Sequence, residues 1–575
     1  MLALVFSWLC IGWLSLVLGV AGLKGVKKLL RNEEGEISTV APDYVLLFGF
    51  ALSTFLVSFS SLFVRINWEV NVLFFLLGVL LHYRYRTEVG LIGQQVKKGW
   101  EEAHLWLRLT YSAVVLIALS TVIIEIGETD TWFYHAQSMQ WIKEYAAVPG
   151  LGNLHGRFAF NSNYFVISAF YAFWFTDEQV LFPLCSFFFM ILSARLLTKL
   201  DLARTGGDHR WFIIYALLFT FLSFQTLLLI SSTSTDVISL ILIIYIFLLF
   251  FEVFQQEQKG FENLILWSLV ALSVTFKLSS LLIVSLLLFT IPKALKERRF
   301  SAYVVIAVLI GLPFIARNIM ISGYPLYPVP SLDILSVDWK IPMEEVQFEK
   351  DLVEGWAKQP YGSTYMTKFE DIPKILDLPF KDWLKIWWPA QSMKWQAFML
   401  LSLLNIPLLF LSMFRKEHTY SIVFGALVVN LLFWFVQAPQ PRFAYGFIFF
   451  GSALILGYLG AFLLSYFHPK KLIFIALLVY FPALFLIREE VRYTPFVTST
   501  FLLPNYQTEV KTKEFEAHNF TLKVPSQDPP ASIYWCYNSP LPCTPLPKKN
   551  IEMRGETFRQ GFRIIKNSRS YSNNQ

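Results

Sequence analysis

The sequence predicts an all-α polytopic membrane protein with about 14 transmembrane helices. Hydrophobic residues make up 55% of the 575 residues and charged residues only 15%, whereas soluble domains carry roughly 25% charged residues. Apolar runs recur from end to end, and runs of about 20 residues are long enough to cross a ~30 Å hydrocarbon core. The runs are continuous, whereas the strands of a membrane barrel alternate apolar and polar residues. These observations exclude a soluble enzyme, a disordered chain and a disulfide scaffold.

The predicted spans are apolar runs that end at polar turns or at long loops. In chain order they cover residues 2–22, 44–64, 69–83, 105–126, 179–199, 211–230, 236–255, 263–276, 279–295, 302–316, 396–413, 420–436, 443–466 and 472–487. Several are short, and their order matters more than their limits, because alternating spans place successive loops on opposite sides of the membrane.

Lys and Arg residues cluster after six of the seven odd-numbered spans. The clusters are Lys24, Lys27, Lys28 and Arg31; Arg84, Arg86, Lys97 and Lys98; Lys199, Arg204 and Arg210; Lys293, Lys296, Arg298 and Arg299; Arg415 and Lys416; and Lys470 and Lys471. All six fall on one side, which is therefore predicted to be cytoplasmic, with both chain ends outside. The net charge of +7 thus indicates topology, and no nucleic-acid partner is expected.

Three long segments are predicted on the outer side: 127–178, 317–395 and the tail 488–575. The cytoplasmic loops are short, and the chain contains no G-x-x-x-x-G-K-[ST] motif for binding nucleotide phosphates. Any chemistry is therefore expected at the outer face. Because nucleotide-activated substrates are absent there, the sequence favours an activated donor carried by membrane lipid.

The first outer loop carries two neighbouring carboxylates, Glu128 and Asp130, followed by an aromatic segment that predicts an amphipathic helix over 130–145. His135 lies in this helix and Arg157 lies further along the loop. Two acids just outside the membrane can accept a proton or hold a divalent metal. Acids that merely interact with the dipole of a helix N-terminus are the simpler alternative, and the residue types alone favour neither.

Polar residues also interrupt the apolar runs at the predicted outer surface: Asp236 before span seven, Lys277 between spans eight and nine, Arg317 and Asn318 at the end of span ten, and Arg442 after span twelve. Ionisable groups at membrane depth are candidates for function. The three cations on one surface suit a phosphate headgroup. For Arg442 alone, a snorkelling anchor is an equal alternative.

The second outer loop and the tail carry further signals. The segment 381–388, with Trp395, contains four Trp residues interspersed with Lys, which predicts a helix lying at the headgroups. The tail is too small to be more than marginally stable unless it packs on the outer loops. Cys536 and Cys543 are predicted to form a disulfide, because they are close, flanked by Pro and on the oxidising side. Two free thiols are the alternative.

Taken together, these residues resemble the GT-C class of membrane glycosyltransferases, which take sugars from polyprenyl-phosphate carriers. That class has an acidic D-x-D or E-x-D motif in its first large outer loop, and Glu128-Thr129-Asp130 matches the second form. The chain is more closely similar to a family of largely uncharacterised bacterial multi-span proteins. The segments that carry this similarity are Asp130 with Tyr134-His135, residues 148–155, residues 317–318 with 322–328, and Cys536 with residues 542–545.

The resemblance implies an inverting transfer of a hexose or pentose from a polyprenyl-phosphate donor to a lipid, glycan or protein acceptor. It implies Asp130 as the general base, Glu128 as its helper or a ligand of a divalent metal, and His135 as a further catalytic residue. The phosphate contacts would be Lys277, Arg317, Arg442 and, secondarily, Arg157. Asp236 and Asn318 are additional polar candidates at this surface.

The class normally has its acidic loop after the first span, whereas here the loop follows the fourth. The expected organisation is therefore a three-span extension over 1–104, a GT-C-like core over 105–487 and an outer tail over 488–575, in a bacterial cytoplasmic membrane. A polymerase or ligase of lipid-linked glycans is an alternative, although 317–395 lacks the several Arg residues expected of one. A transporter or flippase would require polar groups at mid-membrane depth. A non-catalytic assembly partner also stays open.

Overall fold

The computed structural model describes residues 2–29, 37–122, 128–172, 181–227, 229–255, 261–359, 369–464, 510–526 and 535–565. Within these ranges the chain is mostly helical. The helices are α1 Leu2–Leu29, α2 Pro42–Ser60, α3 Trp68–Arg84, α4 Arg86–Glu102, α5 Leu105–Val122, α6 Ala136–Glu144, α7 Asn163–Tyr171, α8 Leu184–Gly206, α9 His209–Thr226, α10 Thr235–Gln255, α11 Glu262–Phe276, α12 Ser285–Leu288, α13 Ile291–Lys296, α14 Phe300–Ser322, α15 Met343–Lys358, α16 Phe380–Ala390, α17 Met393–Leu403, α18 Asn405–Phe414, α19 His418–Gln437 and α20 Tyr445–Leu464. The strands are β1 Thr512–Glu516, β2 Thr521–Pro525, β3 Ile551–Met553 and β4 Phe562–Ile564, which form the antiparallel pairs β1–β2 and β3–β4.

Seven helical segments in the described part of the chain are long and apolar enough to cross a membrane. They are Leu2–Lys28, Pro42–Ser60, Thr235–Phe254, Phe300–Ser322, Met393–Phe414, His418–Gln437 and Pro441–Ala461. Helices α4 and α5 are separated by a bend of 115° and would bring the number to eight if they formed one broken span. These apolar helices confirm the prediction of a helical membrane protein. A helix suits the hydrocarbon layer because it satisfies its own backbone hydrogen bonds.

The count of 14 spans is not confirmed. Helices α3, α5, α8, α9 and α11 occupy predicted spans, but each is too short or too polar to cross a membrane by the same measure. The predicted span 472–487 lies outside the described residues. The predicted cytoplasmic loop 83–104 contains the amphipathic helix α4.

The predicted span 279–295 is not one regular helix. Its residues form a 3₁₀ segment, Leu278–Val284, followed by the short helices α12 and α13. Pro292 lies in the first turn of α13. Because proline lacks an N–H donor and clashes with the carbonyl four residues back, it ends the preceding helix.

Two glycines allow the close approach of the N-terminal helices α1 and α2. A side chain on Gly49 of α2 would lie 1.7 Å from the Ser15 carbonyl oxygen, and one on Gly19 of α1 would lie 2.1 Å from the Val45 carbonyl oxygen. Small residues at a helix contact allow backbones to approach, and this is a common means of association in membranes. Helices α1 and α2 therefore form a tight hairpin that no larger side chain would permit.

Side-chain contacts sort the helix ends into two groups. At one end of the bundle, Arg195 of α8 forms ion pairs with Asp43, at the start of α2, and Glu252, near the end of α10. At the other end, Arg317, near the end of α14, donates hydrogen bonds to Ser61, at the end of α2. The predicted alternation of spans requires the same grouping. Which end faces the cytoplasm stays a prediction.

Beyond the ends that Ser61 and Arg317 mark, the two loops predicted to be outer and the described parts of the tail form a layer with its own apolar core, called here the outer layer. This core joins residues of the first outer loop to residues of the tail strands: Trp141, Val148, Leu151, Leu154 and Phe158 pack with Leu522, Val524, Ile551 and Phe562. The tail therefore packs on an outer loop, as its small size requires. The predicted helices over 130–145 and 381–388 are also present, as a π-helical turn, Thr131–His135, followed by α6, and as α16.

Candidate functional site

A cavity of about 320 Å³ lies where the outer layer meets the helix ends. Five of the residues singled out from the sequence line it: Asp130, Arg157, Asp236, Lys277 and Arg442. They come from four separate parts of the chain, and the fold brings them into one space. Eight aromatic residues contribute to the remaining wall: Tyr134, Phe160, Phe165, Phe276, Tyr327, Phe433, Trp434 and Phe443.

Each charged residue of the membrane side lies at a helix end. Asp236 is in the first turn of α10, and Lys277 follows the last residue of α11 with an extended backbone, φ −154° and ψ 119°. Arg442 lies in the 3₁₀ turn Pro441–Ala444, immediately before α20. Asp130 directly precedes the π-helical turn of the first outer loop. The apolar lengths of the helices thus fix the depth at which these groups meet.

Four of these groups form a chain of alternating charge. Arg442 Nη1 donates to Asp130 Oδ2 at 2.9 Å, and Arg442 Nε lies 3.9 Å from Asp236 Oδ2. Lys277 Nζ donates to Asp236 Oδ1 and lies 4.5 Å from the centroid of the Phe443 ring. The order Asp130, Arg442, Asp236, Lys277 therefore neutralises every member. Asp236 and Lys277 are mostly buried, so removing one of them would leave the other charge with little compensation.

The pKa of Asp130 is lower than that of an ordinary aspartate. Burial alone would raise this pKa, but Arg442, and to a lesser extent Arg157, outweigh it by stabilising the carboxylate. Asp130 is therefore ionised in this arrangement. A carboxylate that a guanidinium stabilises is also a weak base, so Asp130 would gain basicity only if Arg442 moved away.

Glu128 supports the turn and does not line the cavity. Its carboxylate accepts a hydrogen bond from the Thr131 hydroxyl, and the hydroxyls of Ser234 and Ser232 also bond to it. Burial, together with the nearby charge of Asp130, raises the pKa of Glu128. The two acids thus have different partners and different proton affinities.

A divalent metal at Glu128 and Asp130 was left open by the sequence, and the partners of these two acids do not fit one. Asp130 is occupied by a cation, and Glu128 is occupied by hydroxyl groups. Within the described ranges, no group of three or more His, Cys, Asp or Glu side chains is placed to hold a metal ion.

His135 lies behind the cavity wall, contrary to its predicted catalytic role. It is 2% exposed, and its Nδ1 is 2.9 Å from the Thr233 hydroxyl. Its Nε2 is buried and has no hydrogen-bond partner in the part of the chain that the structure describes. Burial lowers the pKa of His135 to about 3, so the ring is neutral at physiological pH. The imidazole therefore connects the π-helical turn Thr131–His135 to the segment before α10 through a hydrogen bond.

Arg157 forms the outer side of the cavity. Its Nε lies 2.7 Å from Glu349 Oε1 of α15, and its guanidinium carbon lies 5.1 Å from the centroid of the Phe160 ring. Both charged side chains of the pair are mostly buried. The ion pair joins the first outer loop to the second, so Arg157 has a structural role in addition to facing the cavity.

Arg317 does not line the cavity, contrary to its predicted contact with the donor phosphate, and the neighbouring Asn318 does not line it either. Arg317 is 3% exposed, and its Nη1 donates to the carbonyl and hydroxyl oxygens of Ser61, at 3.3 and 3.2 Å. The amide of Asn318 donates to the Phe314 carbonyl one turn back. Arg317 therefore satisfies the free carbonyl end of α2, which a cation suits. The hydropathy of α14 does not reveal which side faces α2.

Sequence reasoning missed the part of the cavity that the second outer loop contributes. Tyr327, Lys350 and Glu354 line this side. Lys350 and Glu354 lie four residues apart on α15, whose amphipathic pattern was visible in the sequence. Tyr327 belongs to the Tyr324-Pro325-Leu326-Tyr327-Pro328 segment that carried the resemblance. Both signals were present, but neither indicated that this loop folds back over Asp130.

The predicted disulfide between Cys536 and Cys543 is present, within the tail that packs on the first outer loop.

No curated protein and no solved structure matches the chain. A family model described as "Domain of unknown function (DUF8201)" matches residues 1–449, a range that contains all the charged residues of the cavity. The matched range covers most of the chain, and the protein therefore belongs to this family.

Proposed function

We propose that this protein is a multi-span glycosyltransferase of the GT-C type in a bacterial cytoplasmic membrane. It would move a sugar from a polyprenyl-phosphate donor to a hydroxyl acceptor at the outer face. We also propose that it has about 14 spans, the number that the positions of the basic loops predict. One observation carries the proposal: the Asp130, Arg442, Asp236 and Lys277 chain of charges lies in one cavity at the helix ends.

The cavity suits a ligand with a charged headgroup and an apolar tail. Lys277 and Arg442 lie together at the ends of α11 and the turn before α20, where a phosphate at the membrane surface would sit. Arg binds phosphate through two parallel N–H donors, and Lys supplies a compact charge. The aromatic wall provides apolar contact and faces on which a sugar ring can stack.

Donor binding would change the partners of the carboxylates. A phosphate that takes Arg442 as its partner draws the guanidinium from Asp130, and the carboxylate then loses the contact that makes it a weak base. The unbound site would therefore hold Asp130 inactive, and the donor itself would activate it. Asp236 would retain Lys277 near the phosphate.

The reaction would be a single displacement that inverts the anomeric centre. The acceptor oxygen forms a bond to the anomeric carbon as its proton passes to Asp130. The bond between that carbon and the phosphate oxygen breaks, and its electron pair stays on the polyprenyl phosphate. Lys277 and Arg442 would stabilise the negative charge that develops on this leaving group.

The test is turnover by the purified full-length protein in lipid nanodiscs. Polyprenyl-phosphate hexoses and pentoses would be supplied with polar and lipid-linked glycan acceptors, and free polyprenyl phosphate and the anomeric configuration of the product would be measured. We expect release from at least one monophosphate donor, with inversion. Turnover only with pyrophosphate-linked oligosaccharides would indicate the polymerase or ligase instead. Donor movement between leaflets without any cleavage would indicate a flippase.

A further inference from the structure

The C-terminal tail contacts the turn that carries Asp130. The Tyr537 ring stacks on the Trp132 ring, with centroids 5.0 Å apart and an angle of 23° between the planes. The Tyr537 N–H donates to the Trp132 carbonyl at 3.2 Å. Trp132 is 1% exposed and lies two residues after Asp130. The tail thus covers the start of the helix formed by the π-helical turn Thr131–His135 and α6, called here the acidic helix.

A second contact follows one turn later, at Gln137. This side chain is fully buried, and its Nε2 donates to the carbonyl of Ser539 at 2.7 Å and to that of Tyr537 at 3.2 Å. A buried amide that loses its acceptors retains the full cost of its desolvation. The acidic helix is therefore built to receive these tail carbonyls.

The disulfide holds the contacting segment in place. Cys536 precedes Tyr537, and its bond to Cys543 closes a short loop that includes Ser539. The base of this loop is fixed to β2, because the Lys523 N–H donates to the Pro542 carbonyl at 2.9 Å and the Thr544 N–H donates to the Lys523 carbonyl at 3.1 Å. The loop thus lies between a hairpin and the acidic helix.

The tail is attached to both outer loops elsewhere. The Phe562 N–H donates to the Pro149 carbonyl at 2.9 Å. The neighbouring Gly561 has φ +90°, and a side chain there would lie 2.0 Å from the Pro149 carbonyl oxygen. Arg554 donates two hydrogen bonds of 2.8 Å to Asp338 of the second outer loop. The tail is therefore fixed independently of Tyr537.

We infer that Tyr537, held by the Cys536–Cys543 disulfide, is a positioning residue that sets the direction of Asp130 toward the cavity. Asp130 stands at the start of a π-helical turn, and its side chain makes no cap to that turn. First-turn residues lack intrahelical partners for their N–H groups, so neighbouring elements fix their placement. Tyr537 does not line the cavity, and its ring contacts the turn that follows Asp130 at Trp132. The inference rests on the proposed function for its effect on turnover.

The experiment compares Tyr537→Ala with Tyr537→Phe in the full-length protein in nanodiscs. Displacing a catalytic group by about 1 Å can cost ~100-fold in rate, so we expect Tyr537→Ala to lower kcat by roughly 10- to 100-fold, with the KM for the donor within about threefold of wild type. Tyr537→Phe retains the ring and should retain the rate. The Trp132→Ala/Tyr537→Ala double variant should lose no more than Trp132→Ala alone, because contacting residues are not additive.

Amide hydrogen exchange over 131–144 provides a readout that needs no substrate. We expect faster exchange there in Tyr537→Ala and in Cys536→Ala/Cys543→Ala, and unchanged exchange in Tyr537→Phe. Wild-type exchange and wild-type kcat in both disrupted variants would overturn the inference and leave the proposed function standing. If the wild-type protein cleaves no donor while the exchange changes as expected, the proposed function fails and the tail still positions the turn.

Discussion

Arg442 Nη1 lies 2.9 Å from Asp130 Oδ2, although the two residues are 312 positions apart in the chain. This contact joins the first outer loop to the turn between α19 and α20, and it sets the protonation of the acid that we assign as the base. It also means that the same guanidinium is the partner of Asp130 before the donor binds and the expected partner of the phosphate afterwards. Loss of either residue should therefore affect more than its own contact.

Lys277→Ala should weaken donor binding. A hydrogen bond to a charged group contributes about 1.5–3 kcal/mol, which corresponds to a rise of roughly 10- to 150-fold in the KM for a polyprenyl-phosphate sugar. The matched control is Lys340→Ala, because Lys340 is also paired with an aspartate, Asp333, and lies in a loop predicted to be outer, but does not line the cavity. Steady-state kinetics of both variants test this. An unchanged KM in Lys277→Ala would remove Lys277 from the phosphate site.

Arg317→Met should destabilise the protein without changing donor affinity. The substitution leaves the Ser61 carbonyl without its buried donor, a loss of about 1–3 kcal/mol. We expect a lower midpoint of thermal unfolding in detergent and an unchanged KM for the donor in the folded fraction. If the KM rose as it does in Lys277→Ala while the unfolding midpoint stayed at the wild-type value, Arg317 would contact the donor after all.

Glu128→Gln should have a pH-dependent effect on stability. Burial raises the pKa of Glu128 in the folded protein above its value in the unfolded chain, so the folded state favours the protonated form. The carboxyl group therefore becomes increasingly unfavourable to folding as the pH rises from its unfolded pKa through its folded pKa. Glu128→Gln should be more stable relative to wild type at pH 7 than at pH 4.

Unfolding midpoints of the two proteins at pH 4, 5.5 and 7 measure this difference. Glutamine retains one oxygen acceptor for the Thr131 hydroxyl, so the substitution changes charge more than shape. A difference in midpoint that is the same at all three pH values would show that Glu128 ionises in the folded protein as readily as in the unfolded chain.

Residues at the ends of apolar runs could be identified from the sequence. Asp236, Lys277 and Arg442 interrupt or bound hydrophobic segments, and burying such groups is costly unless they pair, so their convergence on Asp130 has a clear physical reason. The same reasoning fails for Arg317, because an arginine near a helix end can as well satisfy the carbonyl end of a neighbouring helix. The length and hydropathy of a helix do not show which of its sides contacts a neighbouring helix and which contacts the cavity.

Long-range packing of the outer layer lay beyond sequence reasoning. The contribution of α15 to the cavity depends on how the second outer loop folds over the first, and the contact between Tyr537 and Trp132 joins residues about four hundred positions apart. The segment after Lys277 is apolar enough for the sequence to predict a span there, but it does not form one regular helix. Propensity for a membrane span does not specify a continuous helix when a proline lies within the segment.

The central claim is that Asp130 is the general base of a sugar transfer, and the turnover of Asp130→Asn tests it most directly. Asp382 provides the matched control, because it is an exposed acid in the first turn of α16 and does not line the cavity. Loss of a general base costs about 10²–10⁴ in rate. With a polyprenyl-phosphate sugar that the wild-type protein cleaves, we expect Asp130→Asn to lose at least about 100-fold in kcat while it remains folded, and Asp382→Asn to match wild type. Near-wild-type turnover by folded Asp130→Asn would contradict the account.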